Sequence, residues 1–175
     1  QGGPDRVQGV TCDLDGNIWI ASYGNNTICV FPNGNSSATI SYTLPTGGTC
    51  PFDVHLADDG DVWVTNSGDM TRFGEGSVGK YYLDGNEIKP RFPLVTGYLA
   101  PQDWHSLKGF SLDSQGNAWI ASGGDDCIYV LASNGTCIGK FGGKDADGKD
   151  ILAPIVKPIV GCEFYVVKDR HIKNF

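Results

Sequence analysis

Apolar and polar positions alternate in runs of about five residues along most of this chain, and Gly-containing turns separate the runs. A period of two predicts strands, because successive side chains on a strand point to opposite faces. One pattern occurs three times: GVTCDLDGNIWIAS from Gly9, DVHLADDGDVWVTN from Asp53 and GFSLDSQGNAWIAS from Gly109. In each, a Gly is followed three residues later by a Trp. The aligned Trp19, Trp63 and Trp119 are 44 and 56 residues apart, in or near the range of unit lengths at which self-similarity marks a repeat architecture.

Each unit reads as two hairpins. The pairs Asp15-Gly16, Asp59-Gly60 and Gln115-Gly116 sit between strand-like runs, and Gly supplies the positive φ of a tight turn. The runs Thr27–Phe31 and Cys127–Leu131 then lead into Asn33-Gly34 and Asn134-Gly135, with a fourth strand expected near 38 to 44 and 136 to 141. The second strand, Ile18-Trp19-Ile20-Ala21 in the first unit, is apolar on both faces, as in a sheet packed between neighbours. Four-stranded antiparallel sheets stacked in this way are propeller blades, so an all-β propeller is expected. The blades fall at about 7–46, 51–95 and 107–142, with 156–175 giving an incomplete fourth blade or closing strands.

The segments DLDGNIWIASYGNNTICVF (13–31) and DSQGNAWIASGGDDCIYVLASNG (113–135), with a weaker copy at 58–66, resemble NHL-type repeats, in particular those of streptogramin (virginiamycin B) lyase-like propellers. Metal-dependent lyase activity is one implication of the resemblance. The residues fit it poorly at the metal-binding positions. Such lyases place histidines before the inner-strand Gly, whereas Gln8, Phe52 and Lys108 occupy those slots here. One fold hosts enzymes, binding modules and structural parts, so the resemblance favours the scaffold over any one activity.

Composition narrows the partners. A net charge of −7 argues against nucleic acid, which needs a basic footprint, and no apolar run approaches the ~20 residues of a spanning helix. The sequons at Asn25, Asn35 and Asn134 lie in expected turns and point to a secreted or cell-surface chain carrying glycans. Six cysteines are compatible with that setting. The turn at Asp15-Gly16 sets Cys12 opposite Trp19, Cys29 falls beside Ile20, and the turn at Asn134-Gly135 sets Cys137 opposite Ala132. Pairing within one blade is therefore excluded by distance. Any disulfide would cross between blades or use Cys50 and Cys162. Cys12, Cys29 and Cys127 otherwise read as small buried apolar residues.

The connections from second to third strand and from blade to blade emerge on one face, and loops on a rigid frame are common binding sites. That face is expected to carry Tyr23, Arg72, Glu75, Trp104, His105, Asp125 and Asp126 as binding residues for a protein or glycan. Self-association into a larger ring or filament is a further expectation, since few blades are legible. No cofactor is needed for this reading. The alternative is a lyase or gluconolactonase-type lactonase using His105, Arg72 and Glu75 and a divalent metal, calcium or magnesium. Its metal candidates are Asp53 and Asn66, or Asp145 and Asp147 in DADGKD, whose alternating carboxylates resemble part of a calcium loop. His55 reads as structural, and Asp13 and Asp113 as turn formers.

Overall fold

The computed structural model describes residues 3–45, 49–68, 76–96, 106–123 and 127–142. They form three antiparallel sheets in chain order. The first is β1 (Val7–Cys12), β2 (Ile18–Ser22), β3 (Thr27–Phe31) and β4 (Ile40–Thr43). The second is β5 (Pro51–Leu56), β6 (Val62–Asn66), β7 (Ser77–Asp84) and β8 (Glu87–Pro90), with the two-residue β9 (Val95–Thr96) pairing β7. The third is β10 (Leu107–Leu112), β11 (Ala118–Ser122), β12 (Cys127–Leu131) and β13 (Cys137–Gly142). Each is an up-and-down meander of four strands, the blade expected from the repeat. Among the described residues no helix is long and apolar enough to cross a membrane.

Successive sheets stack face to face around two cores. Trp19, Ala21, Ile28 and Val30 of the first sheet pack on Val54, Val62, Val64 and Tyr81 of the second. Trp63 and Val78 of the second pack on Phe110, Ile120 and Tyr129 of the third. Trp19 and Trp63 thus each face the following sheet. Trp19 and Trp63 are buried, at 1% and 0% exposure. Trp119 is half-buried and stacks on Phe141 of its own sheet, ring centroids 5.5 Å apart.

The first turn of each unit is wider than the two-residue turn its Gly pair predicts. Asp13 N donates to Asn17 O, so the loop holds three residues and Cys12 pairs with Ile18 instead of Trp19. In the last hairpin an irregularity between Val130 and Leu131 sets Cys137 opposite Leu131 instead of Ala132. Cys29 does pair with Ile20. Cys29 and Cys127 are buried, but Cys12 is exposed at the strand end. Cys12, Cys29, Cys50 and Cys137 are free thiols.

The Asp of the first turn does more than start it. Asp13 accepts from the backbone N–H of Asp15 and Asn17, from Asn17 Nδ2 and from Trp19 Nε1, at 2.8 to 3.0 Å. Asp113 repeats this with Gln115, Asn117 and Trp119. Partial burial pushes both carboxyls up, but the bonds from Trp, Asn and backbone outweigh it and hold them below the usual range. In the second sheet Ala57 takes the Asp position, and its N–H bonds to Asp61 O as Asp13 N does to Asn17 O. Trp63 Nε1 is left without an acceptor. A charged cluster stands there instead: buried Lys80 pairs with Asp59 and Asp61, and Arg91 grips Asp61 through Nε and Nη2 at 2.8 and 2.6 Å.

Candidate functional site

β1 packs along β5, and β5 along β10, so the first strands form the converging edge of the three sheets. The approach is close enough to dictate residue types. A Cβ on Gly9 would fall 2.8 Å from Asp53 Cα, so this position admits no side chain. Asp53 in turn leans on the third sheet, where its Oδ2 accepts a long bond from Phe110 N at 3.4 Å. Thr65 Oγ1 donates to Lys108 O at 2.8 Å, and Ser106 N donates to Ser67 O at 2.7 Å. Between the first two sheets the stitch is Asn26, whose Oδ1 accepts from Cys50 N and whose carbonyl accepts from Leu44 N.

A polar and aromatic group stands on this edge. His55 Nε2 lies 3.5 Å from Asp53 Oδ2, with 44% and 25% of their side chains exposed. The imidazole also packs on the Phe110 ring, centroids 4.7 Å apart. Lys108 Nζ lies over the Phe52 ring at 4.4 Å, and partial burial lowers the lysine's affinity for its proton. Alternation along β5 places Asp53 and His55 on one face. The arrangement supplies one carboxylate, one imidazole that can donate or accept, one ammonium and an aromatic surface. The sequence reads His55 as structural because it shows no recurring histidine partner. The partner is a carboxylate two residues away on the same strand, a signal that was present as Asp53-Val54-His55.

At the head of each first strand stands a non-Gly residue with positive φ: Arg6 at 48°, Cys50 at 57° and Ser106 at 59°. Each carbonyl accepts from the residue that follows the second strand, namely Tyr23 N, Ser67 N and Gly123 N. Left-handed backbone disfavours ordinary side chains, and nothing in Arg, Cys or Ser announces it, so the sequence did not reveal this recurring bend.

Several expected site residues can be placed. Tyr23 is half-buried in the short 3-10 turn Tyr23–Asn25 that follows β2. Asp53 and Asn66 are not brought together. Thr65, the neighbour of Asn66, reaches the third sheet as Asp53 does, so Asn66 points the opposite way, buried, with Nδ2 bonded to Ser77 Oγ. Among the described residues no three His, Cys, Asp or Glu side chains converge into a metal-holding group. Arg72, Glu75, Trp104, His105, Asp125, Asp126, Asp145 and Asp147 lie outside the described residues.

The three sequons occupy exposed turns but differ in their bonding. Asn25 Oδ1 accepts from the hydroxyls of Ser22 and Thr27, and its Nδ2 donates to Gly3 O. Asn35 and Asn134 use only the carboxamide oxygen, held by Ser37 N and Thr136 N at 3.0 Å.

No protein-family model matches the chain. Among solved structures, it is similar to a catalytically inactive virginiamycin B lyase from Staphylococcus aureus determined with quinupristin: TM-score 0.61, 16% identity, covering 87% of this chain and 57% of the lyase. A streptogramin B lyase matches with TM-score 0.60 and 18% identity over 88% of this chain and 57% of that one. A functionally unknown protein from Desulfotomaculum acetoxidans matches with TM-score 0.58 and 14% identity, covering 79% and 43%. At these identities the likeness shows the propeller fold alone. The chain spans little more than half the length of the lyases it matches.

Proposed function

We propose that the chain is part of an extracellular NHL-type β-propeller that acts as an interaction module, taking a glycan or peptide at the converging edge of its first strands. The observation that carries this reading is the Asp53–His55 pair, half open on rigid strands beside Lys108 and Phe52. A carboxylate and an imidazole next to aromatic surface suit hydroxyl-rich or peptide ligands, the aromatic giving contact area and the polar groups selecting orientation. Exposed Asn35 and Asn134 support an extracellular setting. The test is binding of the full chain to an immobilised panel of glycans and peptides, alongside His55→Ala. A signal that drops at least tenfold in the variant, with unchanged melting temperature, supports the site; binding unaffected by the variant, or none to any panel member, sinks it.

The same pair favours a second reading. An imidazole within reach of a carboxylate can move a proton, and the fold neighbours include lyases. Here His55 would be the base, Asp53 would orient it, and any metal would draw its ligands from beyond the described residues. Incubation with quinupristin followed by chromatography decides this: a new product absent with His55→Ala supports a lyase, and unchanged quinupristin removes it.

A further inference from the structure

The forward face of a sheet, the one turned to its successor, can be compared position by position across the repeat. Ala21, Ile28 and Val30 in the first sheet are 0% exposed, and Thr65, Val78 and Lys80 in the second are 0%, 0% and 2% exposed. In the third sheet Ala121 is exposed, Ile128 and Trp119 are half-buried, and only Val130 is buried. Ile138 adds exposed apolar surface on the last strand, at 57%. The glycines tell the same story. A Cβ on Gly9 would collide with the following sheet, whereas one on Gly109 would meet only Asp53 Oδ2 at 3.5 Å, an ordinary contact. The third sheet therefore carries the residues of a covered face, with a Gly the described residues do not require.

We infer that this face seats the first strand of a further blade, and that its occupant is residues 159–164 of the same chain. Val160-Gly161-Cys162-Glu163-Phe164 repeats the order of Gln8-Gly9-Val10-Thr11-Cys12 and Lys108-Gly109-Phe110-Ser111-Leu112, a Gly followed by apolar, polar and apolar residues. Sixteen residues, 143–158, separate β13 from this segment. At ~3.3 Å per extended residue they reach well beyond the ~10 Å between stacked sheets. Leu56 packs in the core of Trp19, and Leu112 in the core of Trp63. Phe164 is the residue that aligns with Leu56 and Leu112 in the sequence. Gly109 leaves room for the incoming backbone, as Gly9 does for β5. The competing occupant is the same face or segment of a second copy.

The test uses the full chain and its thermal unfolding. Trp119→Leu, Phe164→Leu and the double variant are compared at two protein concentrations tenfold apart, together with Gly109→Val and Gly9→Val. The inference expects the double variant to lose less than the sum of the single shifts, independent of concentration, and Gly109→Val to lower the melting temperature comparably to Gly9→Val. Additive single shifts overturn it, as does a silent Gly109→Val. Coupling whose melting temperature rises with concentration overturns it in favour of a second copy. If Trp119→Leu fails to fold, the two glycine variants still decide.

Discussion

Trp19 Nε1 donates to Asp13 Oδ2 at 2.8 Å, so the residue that opens the turn also fixes the indole that fills the space between two sheets. Local turn chemistry and long-range packing share one carboxylate. Asp13→Ala should cost about 2 to 3 kcal/mol, because it leaves a buried indole N–H and two backbone N–H groups without their acceptor. Asp113→Ala should cost less, since Trp119 is only half-buried. Denaturant midpoints of the two variants check the order.

The second sheet offers the converse experiment. Ala57 stands where the other sheets have Asp, and the buried Trp63 Nε1 has no acceptor. Ala57→Asp should supply one, with Lys80 Nζ 5.5 Å from the Trp63 ring centroid to balance the new charge. A gain of about 1 kcal/mol is expected from the satisfied bond. An unchanged or lower denaturant midpoint would show that Asp59 and Asp61 repel the added carboxylate more than the indole attracts it.

Asp61 binds Lys80 and Arg91 at once while itself 5% exposed. Asp61→Ala should therefore cost about 3 kcal/mol, in the range for removing one partner of a buried ion pair. Lys80 would be left with Asp59 alone. Asp61→Asn, which keeps the shape and an acceptor, should recover part of the loss in urea unfolding.

Stability should fall on the acid side. At Asp13, Asp59 and Asp113 burial raises the carboxyl's affinity for a proton, but hydrogen bonds outweigh it: from Trp and Asn at Asp13 and Asp113, and from Lys80 at Asp59. All three are held below the unfolded value. Their contribution is present above the unfolded carboxylate range, about pH 4, and is lost as pH falls through the lowered values. Melting temperature measured from pH 7 to pH 2 should drop in that window, and the drop should be shallower in Asp13→Asn.

Glycan occupancy should discriminate between sequons. In a secreted eukaryotic expression host, Asn35 and Asn134 should be modified more fully than Asn25, whose Nδ2 is turned to Gly3 O and whose Oδ1 is held by two hydroxyls, so that a sugar there must share a crowded carboxamide. Peptide mapping after enzymatic deglycosylation reads this directly, and occupancy at Asn25 above that at Asn134 would contradict it.

The blades were legible because the features that build them are local and recur. Gly-x-x-Trp after an alternating run announces a turn and a strand, and repetition multiplies the signal. The register of Cys12 was missed by one position because the hydrogen bond from Asp13 to Asn17, which widens the turn, depends on a side-chain knot that spacing alone does not reveal. Asn26 and Thr65 were missed as stitches between sheets, since their partners, Cys50 N and Lys108 O, are backbone groups brought close only by stacking. The contact of His55 with Phe110 was out of reach of the sequence, because it joins strands of different sheets, whereas Asp53 stands two residues away on the same strand.

The recurring left-handed residues Arg6, Cys50 and Ser106 bear on how such a chain lengthens. Each sheet starts with its own reversal of backbone hand and secures it to the residue just past its own second strand. The conformational demand is thus met inside each unit and is not passed to its neighbour. Duplicating a whole unit carries the bend and its fastening together, whereas a break anywhere within one would separate them. Gene duplication in this kind of protein is therefore expected to add or remove whole sheets, with the joints falling ahead of these three residues.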